Sequence, residues 1–148
     1  MTKKTISGFL ALMMFLMFII TPLSVAEVSA SEITPRYNNV SDYETTASIS
    51  PSGYLTVFNS FVGIEGITDY AVITTYVEKK SLGLFWVRVD IGTYNDEWVD
   101  TMYYHMYNGS HSVQLTSKGT YRVTAQYSIR GVGGSVDELE KTVEVKYE

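Results

Sequence analysis

Apolar and polar side chains alternate without a break in the stretch TYRVTAQYSIR, residues 120–130. The side chains of one parity are Tyr121, Val123, Ala125, Tyr127 and Ile129. Successive side chains of a β-strand point to opposite faces of its sheet, so the pattern predicts an antiparallel strand with one buried face. This stretch therefore indicates an all-β fold.

Similar strand patterns recur along the chain on both sides of this stretch, and no window of the chain after residue 30 shows a helical apolar stripe. The predicted strands cover residues 45–50, 54–62, 69–80, 84–91, 99–107, 112–116 and 120–130, with a last strand that ends near Tyr147. Turns are predicted at Pro51-Ser52-Gly53, Asn108-Gly109 and Gly131–Ser135. About seven strands in about 100 residues are typical of a Greek-key antiparallel β-sandwich. A small closed barrel is the alternative.

The segment LTSKGTYRV, residues 115–123, resembles the tyrosine corner of immunoglobulin-like domains. In those domains a tyrosine opens the sixth strand, and its hydroxyl bonds to backbone a few residues upstream. Tyr121 would take that role, and Val123 would stand where those domains carry a disulfide cysteine. The chain has no cysteine, so the resemblance implies an immunoglobulin-like sandwich without a disulfide. Trp86 has the opposite parity to its apolar neighbours and is not assigned as the core tryptophan.

The first thirty residues have the pattern of a secretory signal peptide. Lys3 and Lys4 precede the unbroken apolar run of residues 9–20, and small residues favour cleavage after Ala30, or alternatively after Ala26. Twelve residues span about 18 Å as a helix, less than the roughly 30 Å hydrocarbon core of a bilayer. We therefore predict a secreted, extracellular protein without stable membrane insertion after cleavage. Its parts are a signal peptide (residues 1–30), an irregular leader (31–44) and one domain (45–148).

The charge of the chain limits its partners. The formal net charge is −5 at pH 7. Loss of Lys3, Lys4 and Glu27 with the signal peptide leaves 9 basic and 15 acidic residues, a net charge of −6. Such a chain repels nucleic acid and anionic lipid at long range, so nucleic-acid binding is not expected. The absence of cysteine excludes thiol catalysis and cysteine-ligated zinc.

Three short motifs, in their order along the chain, carry a resemblance to a known family. They are PRYNN at residues 35–39, EKKSLGLFW at residues 78–86 and LTSKGTYRV at residues 115–123. The chain resembles a family of small secreted proteins from Gram-positive bacteria that is classed as a domain of unknown function. The resemblance implies an extracellular β-sandwich and supplies no catalytic residues.

Acidic side chains are concentrated between residues 90 and 100. Asp90, Asp96, Glu97 and Asp100 are oxygen donors of the kind that calcium prefers, so a weak calcium site is one interpretation and a solvated acidic loop is the other. A pair of these carboxylates could also serve a glycosidase, which needs two carboxyl groups facing each other across a sugar. His105 and His111 supply only two zinc ligands, which do not make a site. No other cofactor is expected.

Aromatic residues are concentrated in an overlapping segment, residues 93–107. The candidate ligand-binding residues are Tyr94, Trp98, Tyr103, Tyr104 and Tyr107. Exposed Tyr and Trp combine a large apolar face with a polar tip, which suits binding. We therefore predict a non-enzymatic interaction module for an extracellular glycan or protein. The alternatives are an extracellular hydrolase that uses a carboxylate pair, and a toxin or inhibitor that pairs through an edge strand. The ligand and the oligomeric state stay open.

Overall fold

The structure, a computed structural model, describes residues 37–148. The predicted signal peptide and residues 31–36 of the predicted leader lie outside the described residues. Eight strands are present: Val40–Ile49 (β1), Tyr54–Gly63 (β2), Thr68–Ser81 (β3), Phe85–Arg88 (β4), Glu97–Met102 (β5), Met106–Gln114 (β6), Gly119–Gly131 (β7) and Asp137–Tyr147 (β8). A 3-10 turn, Tyr94–Asp96, precedes β5. Residues 37–148 contain no helix that is long and apolar enough to cross a membrane.

The strands form two antiparallel sheets, as the sequence predicts. The first sheet has the order β1-β2-β6 and the second the order β4-β3-β7-β8, with β5 also paired to β3. Strands β1, β2 and β6 take the places of strands A, B and E of an immunoglobulin-like sandwich, and β3, β7 and β8 those of C, F and G. The prediction of an immunoglobulin-like β-sandwich without a disulfide is confirmed.

Strand β7 confirms the alternation from which the fold was predicted. Its five apolar side chains of one parity are all buried. The hydroxyl of Tyr121 donates a hydrogen bond to the carbonyl oxygen of Ser117, which is the bond expected of a tyrosine corner. Val123 is fully buried at the position where related domains carry cysteine. Trp86 lies half-buried in β4, outside the core, as its parity indicates.

The core consists of two apolar clusters. One contains Val40, Phe61, Ala71, Ile73, Met102, Ala125, Tyr127 and Ile129. The other contains Leu55, Val57, Val77, Trp98, Leu115, Tyr121 and Val123. Along β2 and β3 the two clusters are separated by Asn59 and Thr75, which are both buried. The Asn59 Nδ2 group donates a hydrogen bond of 2.8 Å to Thr75 Oγ1, so this polar pair satisfies part of its hydrogen-bonding capacity inside the core.

One end of the sandwich is closed by a buried network of hydrogen bonds, and we call it the leader end. The Asp137 carboxylate accepts hydrogen bonds from the backbone N–H groups of Asn39 at 2.6 Å and Asn38 at 3.0 Å. The carbonyl oxygen of Asn39 accepts bonds from the N–H of Ile64 at 3.1 Å and from the Thr68 hydroxyl. Bonds to a carboxylate are stronger than neutral ones, so this network fixes the start of β1 beside β8.

The opposite end carries the turn between β3 and β4, and we call it the hairpin end. The N–H of Leu84 donates a 3.0 Å hydrogen bond to the carbonyl oxygen of Ser81. The two central residues, Leu82 and Gly83, have φ angles of 51° and 70°. This left-handed pair is typical of a type I′ turn, in which glycine is at ease and leucine costs about 1 kcal/mol.

Several strand boundaries differ from the prediction: predicted strand 84–91 ends at Arg88, predicted strand 99–107 is divided between β5 and β6, and predicted strand 112–116 is only the end of β6, which begins at Met106. Strand β1 begins at Val40, inside the predicted leader of residues 31–44, because the Asn39–Asp137 bond holds the chain there. The predicted turn at Asn108-Gly109 is wrong, because both residues lie inside β6 and pair with β2. Gly109 is required there for packing, since a Cβ atom would collide with the Tyr107 hydroxyl. The turn falls instead at residues 103–105, between β5 and β6.

Candidate functional site

The connection between β5 and β6 presents two tyrosines to solvent. Tyr103 and Tyr104 are 73% and 76% exposed. Only residues 103–105 connect the two strands. Their position is held by Met102, which is buried in the core, and by His105, whose carbonyl oxygen accepts a 2.6 Å hydrogen bond from the N–H of Gly63. The two exposed rings therefore stand on a short connection that is anchored at both of its ends.

Three further side chains, from β3 and β7, form a connected group beside Tyr103. The Tyr70 ring lies 5.2 Å from the Tyr103 ring, centroid to centroid. The Arg130 guanidinium lies 4.2 Å from the centroid of the Tyr70 ring, and its Nε lies 4.0 Å from Asp69 Oδ1. We call these five residues the tyrosine surface: Tyr70, Tyr103, Tyr104, Asp69 and Arg130. It combines aromatic faces with one charged donor and one charged acceptor.

The other predicted aromatic residues do not join this surface. Tyr94 is exposed in the 3-10 turn before β5. Trp98 is only 8% exposed and packs in the core, where its ring stacks on His111 with centroids 5.0 Å apart. The expectation that Trp98 is an exposed anchor is therefore not met. In β5 its parity is set by pairing with Thr75 of β3, which turns the indole inward.

Tyr107 is half-buried, and its environment is polar on one side. Its ring stacks on Phe61 with centroids 6.5 Å apart. Burial and, to a smaller extent, the Asp100 carboxylate raise the pKa of Tyr107 to about 12. Asp100 Oδ2 also lies 2.8 Å from His111 Nε2. Tyr107 therefore belongs to a packed row with Asp100 and His111 rather than to an open binding surface.

The four predicted calcium ligands each have a separate neighbour. Asp90 Oδ1 accepts a 2.8 Å bond from the N–H of Gly92, and Asp96 Oδ1 accepts a 3.3 Å bond from the N–H of Ile91. Glu97 faces Arg88 at 3.5 Å, while Asp100 faces His111. Across residues 37–148 no three His, Asp or Glu side chains lie close enough together to hold a metal ion.

Strand β8 is the edge that the edge-pairing alternative would use. It pairs with β7 on one side of the second sheet. Its exposed charged side chains are Glu138, Glu140, Lys141, Glu144 and Lys146. Charged side chains on an edge strand oppose pairing with another strand, so this edge does not favour β-augmentation.

Sequence reasoning missed Tyr70, Asp69 and Arg130. Tyr70 has the outward parity of β3, and Arg130 the outward parity of β7, so alternation places each on the outer face of its sheet. The alternation in the sequence therefore indicated that Tyr70 and Arg130 lie on outer faces. Their proximity to Tyr103 depends on the pairing of β3 with β5 and β7, which a strand pattern does not reveal.

Comparison with known proteins identifies no family for this chain. No family model matches it, and no curated protein matches it either.

Proposed function

We propose that the protein is a secreted, non-enzymatic interaction module that binds an extracellular carbohydrate polymer through the tyrosine surface. The observation that carries the proposal is the pair of exposed rings, Tyr103 and Tyr104, on a short anchored connection with Tyr70 beside it. Secretion rests on the predicted signal peptide in residues 1–30.

The chemistry of the surface suits a sugar. The faces of aromatic rings pack against the apolar C–H faces of sugar rings, and a tyrosine adds a hydroxyl that forms hydrogen bonds. Asp69 and Arg130 stand at the rim of the same surface and supply a charged acceptor and a charged donor for sugar hydroxyls. A surface of this composition binds by stacking and hydrogen bonding, without covalent chemistry.

The short connection also limits the entropy that binding must overcome. Ordering of a loop on ligand binding costs free energy for every residue that becomes fixed. The β5–β6 connection is held beforehand by buried Met102 and by the Gly63–His105 hydrogen bond. Little further ordering of the backbone is then needed when a polymer docks on Tyr103 and Tyr104.

The test is co-sedimentation of the purified protein with peptidoglycan sacculi and a panel of insoluble polysaccharides. We expect capture on at least one polymer and a loss of about fivefold or more in affinity for Tyr103→Ala, because one stacked aromatic ring contributes about 1 kcal/mol. The matched control is Tyr54→Ala, since Tyr54 is an exposed tyrosine as well, at 52%, but lies on β2 of the first sheet.

Each outcome of the co-sedimentation test either supports or overturns the carbohydrate proposal. No capture on any polymer would overturn the carbohydrate proposal, and so would equal losses for Tyr103→Ala and Tyr54→Ala. A parallel measurement with a calcium chelator tests the predicted calcium site of Asp90, Asp96, Glu97 and Asp100. Capture that the chelator leaves intact is the expected result, because stacking on the tyrosine surface needs no metal ion.

A further inference from the structure

The hairpin end exposes a group of large apolar side chains that no neighbour in the domain covers. Leu82 is 88% exposed, Leu84 75%, Phe85 61% and Val87 53%. Single exposed apolar residues are ordinary on protein surfaces, whereas a contiguous group marks a contact surface. Four such residues within one hairpin therefore indicate a contact surface for a partner.

The backbone of the turn gives a second, independent indication. Leu82 adopts a left-handed φ of 51°, a position in which Asn, Asp or Gly is favoured. Burial does not offset this unfavourable choice, because the side chain is almost fully exposed. Residues that break a local folding rule without a packing gain are expected at functional positions. The leucine is thus better explained by an external contact than by folding.

Positive charge gathers around the same hairpin, although the chain as a whole is acidic. Residues 37–148 contain eight Lys and Arg residues, and five of them lie on the hairpin, in the β6–β7 connection or near the start of β7: Lys79, Lys80, Arg88, Lys118 and Arg122. Arg88 pairs with Glu97, and Arg122 pairs with Glu78. Within the described part of the chain, neither Lys79 nor Lys80 forms an ion pair.

The residues are ordered along the hairpin by polarity. The apolar turn comes first, and the next paired position joins Trp86 to Lys80, followed by Lys79 opposite Val87. The Trp86 ring is half-buried, with Arg122 at 4.4 Å and Lys80 at 5.5 Å from its centroid. An apolar tip, followed by a level that carries Trp86 together with Lys80 and then by Lys79, agrees with the order from the acyl region of a membrane to its headgroups, where aromatic and cationic side chains lie at the interface.

We propose that the β3–β4 hairpin is an interfacial anchor that docks the domain reversibly on a membrane surface rich in anionic lipid. Leu82, Leu84 and Phe85 enter the boundary of the acyl region, Trp86 lies at the level of the headgroups, and Lys79 and Lys80 face lipid phosphates. The cations beside the exposed apolar side chains favour this occupant through charge complementarity. The proposal does not depend on the carbohydrate-binding proposal, because the two surfaces share no residue.

A groove behind the hairpin offers a place for a headgroup. Its volume is ≈ 590 Å³, and its lining includes Lys79, Arg88, Ser117 and Tyr121. Lys79 Nζ already donates a 2.6 Å hydrogen bond to Ser117 Oγ, so its amine lies where it can donate to an oxygen atom in the groove. A lipid phosphate that entered this groove would meet Lys79, Lys80 and Arg88, with Asp90 as the one acidic group of the lining.

The anchor is expected to bind weakly and reversibly. Three apolar side chains bury far less surface than a membrane-spanning helix, and two unpaired lysines add a contribution that salt screens. Binding should therefore fall steeply as the ionic strength rises.

The test is sedimentation of the purified protein with phosphatidylcholine vesicles prepared with and without phosphatidylglycerol. We expect capture only when phosphatidylglycerol is present, together with a blue shift of Trp86 fluorescence. Leu82→Asn should reduce partitioning about tenfold or more, because one buried leucine side chain is lost from the membrane. Replacing both Lys79 and Lys80 by glutamine should reduce it about fivefold per cation at low salt.

The design separates loss of the anchor from loss of the fold. Asparagine is favoured at a left-handed turn position, so Leu82→Asn should unfold at the same temperature as the unchanged protein or higher. Val132→Asn is the matched control, because Val132 is 80% exposed in the β7–β8 turn at the leader end. Equal capture on vesicles without phosphatidylglycerol, no capture at all, or capture unchanged by Leu82→Asn would each overturn the proposal.

Discussion

The two ends of the sandwich are held together by different interactions. At the leader end, buried polar groups of Asn39, Thr68 and Asp137 form the hydrogen bonds that fix β1 beside β8. At the hairpin end, the core is closed by packing of Leu115, Trp98 and Tyr121, and the β3–β4 turn beyond them packs against almost nothing. The leader end is built from bonds with strict geometry, whereas the hairpin turn contributes little to the fold.

This difference teaches where the chain is free to change. A buried carboxylate that accepts two backbone N–H bonds leaves unpaired donors when it is removed, so the leader end tolerates few substitutions. An exposed turn residue without packing neighbours affects stability only through its backbone conformation. Binding residues can therefore accumulate on the hairpin without disturbing the core.

The largest expected effect on stability concerns the apolar packing at the hairpin end. Trp98→Ala should lower the free energy of unfolding by about 3–5 kcal/mol, because it leaves a large cavity beside Leu115 and Tyr121. Urea denaturation measures it. Trp86→Ala is the control, since the half-buried Trp86 ring lies outside the core. A loss that is equally small for both variants would show that the hairpin end does not depend on buried packing.

The next largest effect on stability concerns the hydrogen bonds at the leader end. Asp137→Ala should lower the free energy of unfolding by about 2–3 kcal/mol, because the N–H groups of Asn38 and Asn39 lose their charged acceptor. Glu138→Ala is the matched control, as that exposed carboxylate should change stability by about 0.5 kcal/mol or less. Amide hydrogen exchange at Asn39 should rise in Asp137→Ala alone. Unchanged exchange at that amide would contradict the network described here.

Alkaline pH should lower the free energy of unfolding through Tyr127, which belongs to the core cluster that contains Val40 and Ile129. Its hydroxyl is buried and donates a 2.6 Å hydrogen bond to the carbonyl oxygen of Glu44. Burial raises the pKa of Tyr127 from its ordinary value of 10.0 to about 12. Between these values the unfolded chain has released this proton and the folded chain still holds it, so stability is full below pH 10 and falls as the pH rises towards 12.

The loss from this one group should be on the order of 2 kcal/mol by pH 12. Urea denaturation across this pH range, compared with Tyr127→Phe, measures it, because phenylalanine has no proton to release. Parallel curves for the two proteins would show that Tyr127 does not carry the alkaline sensitivity.

The smallest effect should have the opposite sign. Leu82→Asn should raise the free energy of unfolding by up to about 1 kcal/mol, since asparagine adopts the left-handed conformation more readily than leucine. Thermal unfolding measures the gain, and Val132→Asn should show none. A destabilised Leu82→Asn variant would mean that the leucine has a packing role in the fold.

Much of the fold could be predicted from the sequence because its strands are half-buried. The alternation in β7 indicates a two-sided strand, and the Tyr121–Ser117 bond confirms the tyrosine corner that residues 115–123 predict. The prediction at Asn108-Gly109 is wrong because long-range pairing with β2 overrides a local turn signal. The alternation within each strand predicted the two-sheet sandwich, whereas the pairing register between strands is visible only in the structure.

The candidate site was less predictable for the same reason. Tyr103 and Tyr104 are adjacent in a short connection, and their exposure follows from turn geometry. Trp98 lies only five residues earlier, yet its pairing with Thr75 buries it. Tyr70 joins Tyr103 only through the folded sheet. Composition therefore indicated an aromatic segment but could not sort its members into core and surface.

The chain enters and leaves the sandwich at opposite ends. Asn39 leads into β1 at the leader end, and Tyr147 completes β8 opposite Gly119, beside the tyrosine corner. Tension applied between these two points acts along the strands. The hydrogen bonds of β1 with β2 and of β7 with β8 are then loaded in shear, so each ladder shares the force across its whole length. Such an arrangement resists pulling far better than one in which bonds break singly from a free end.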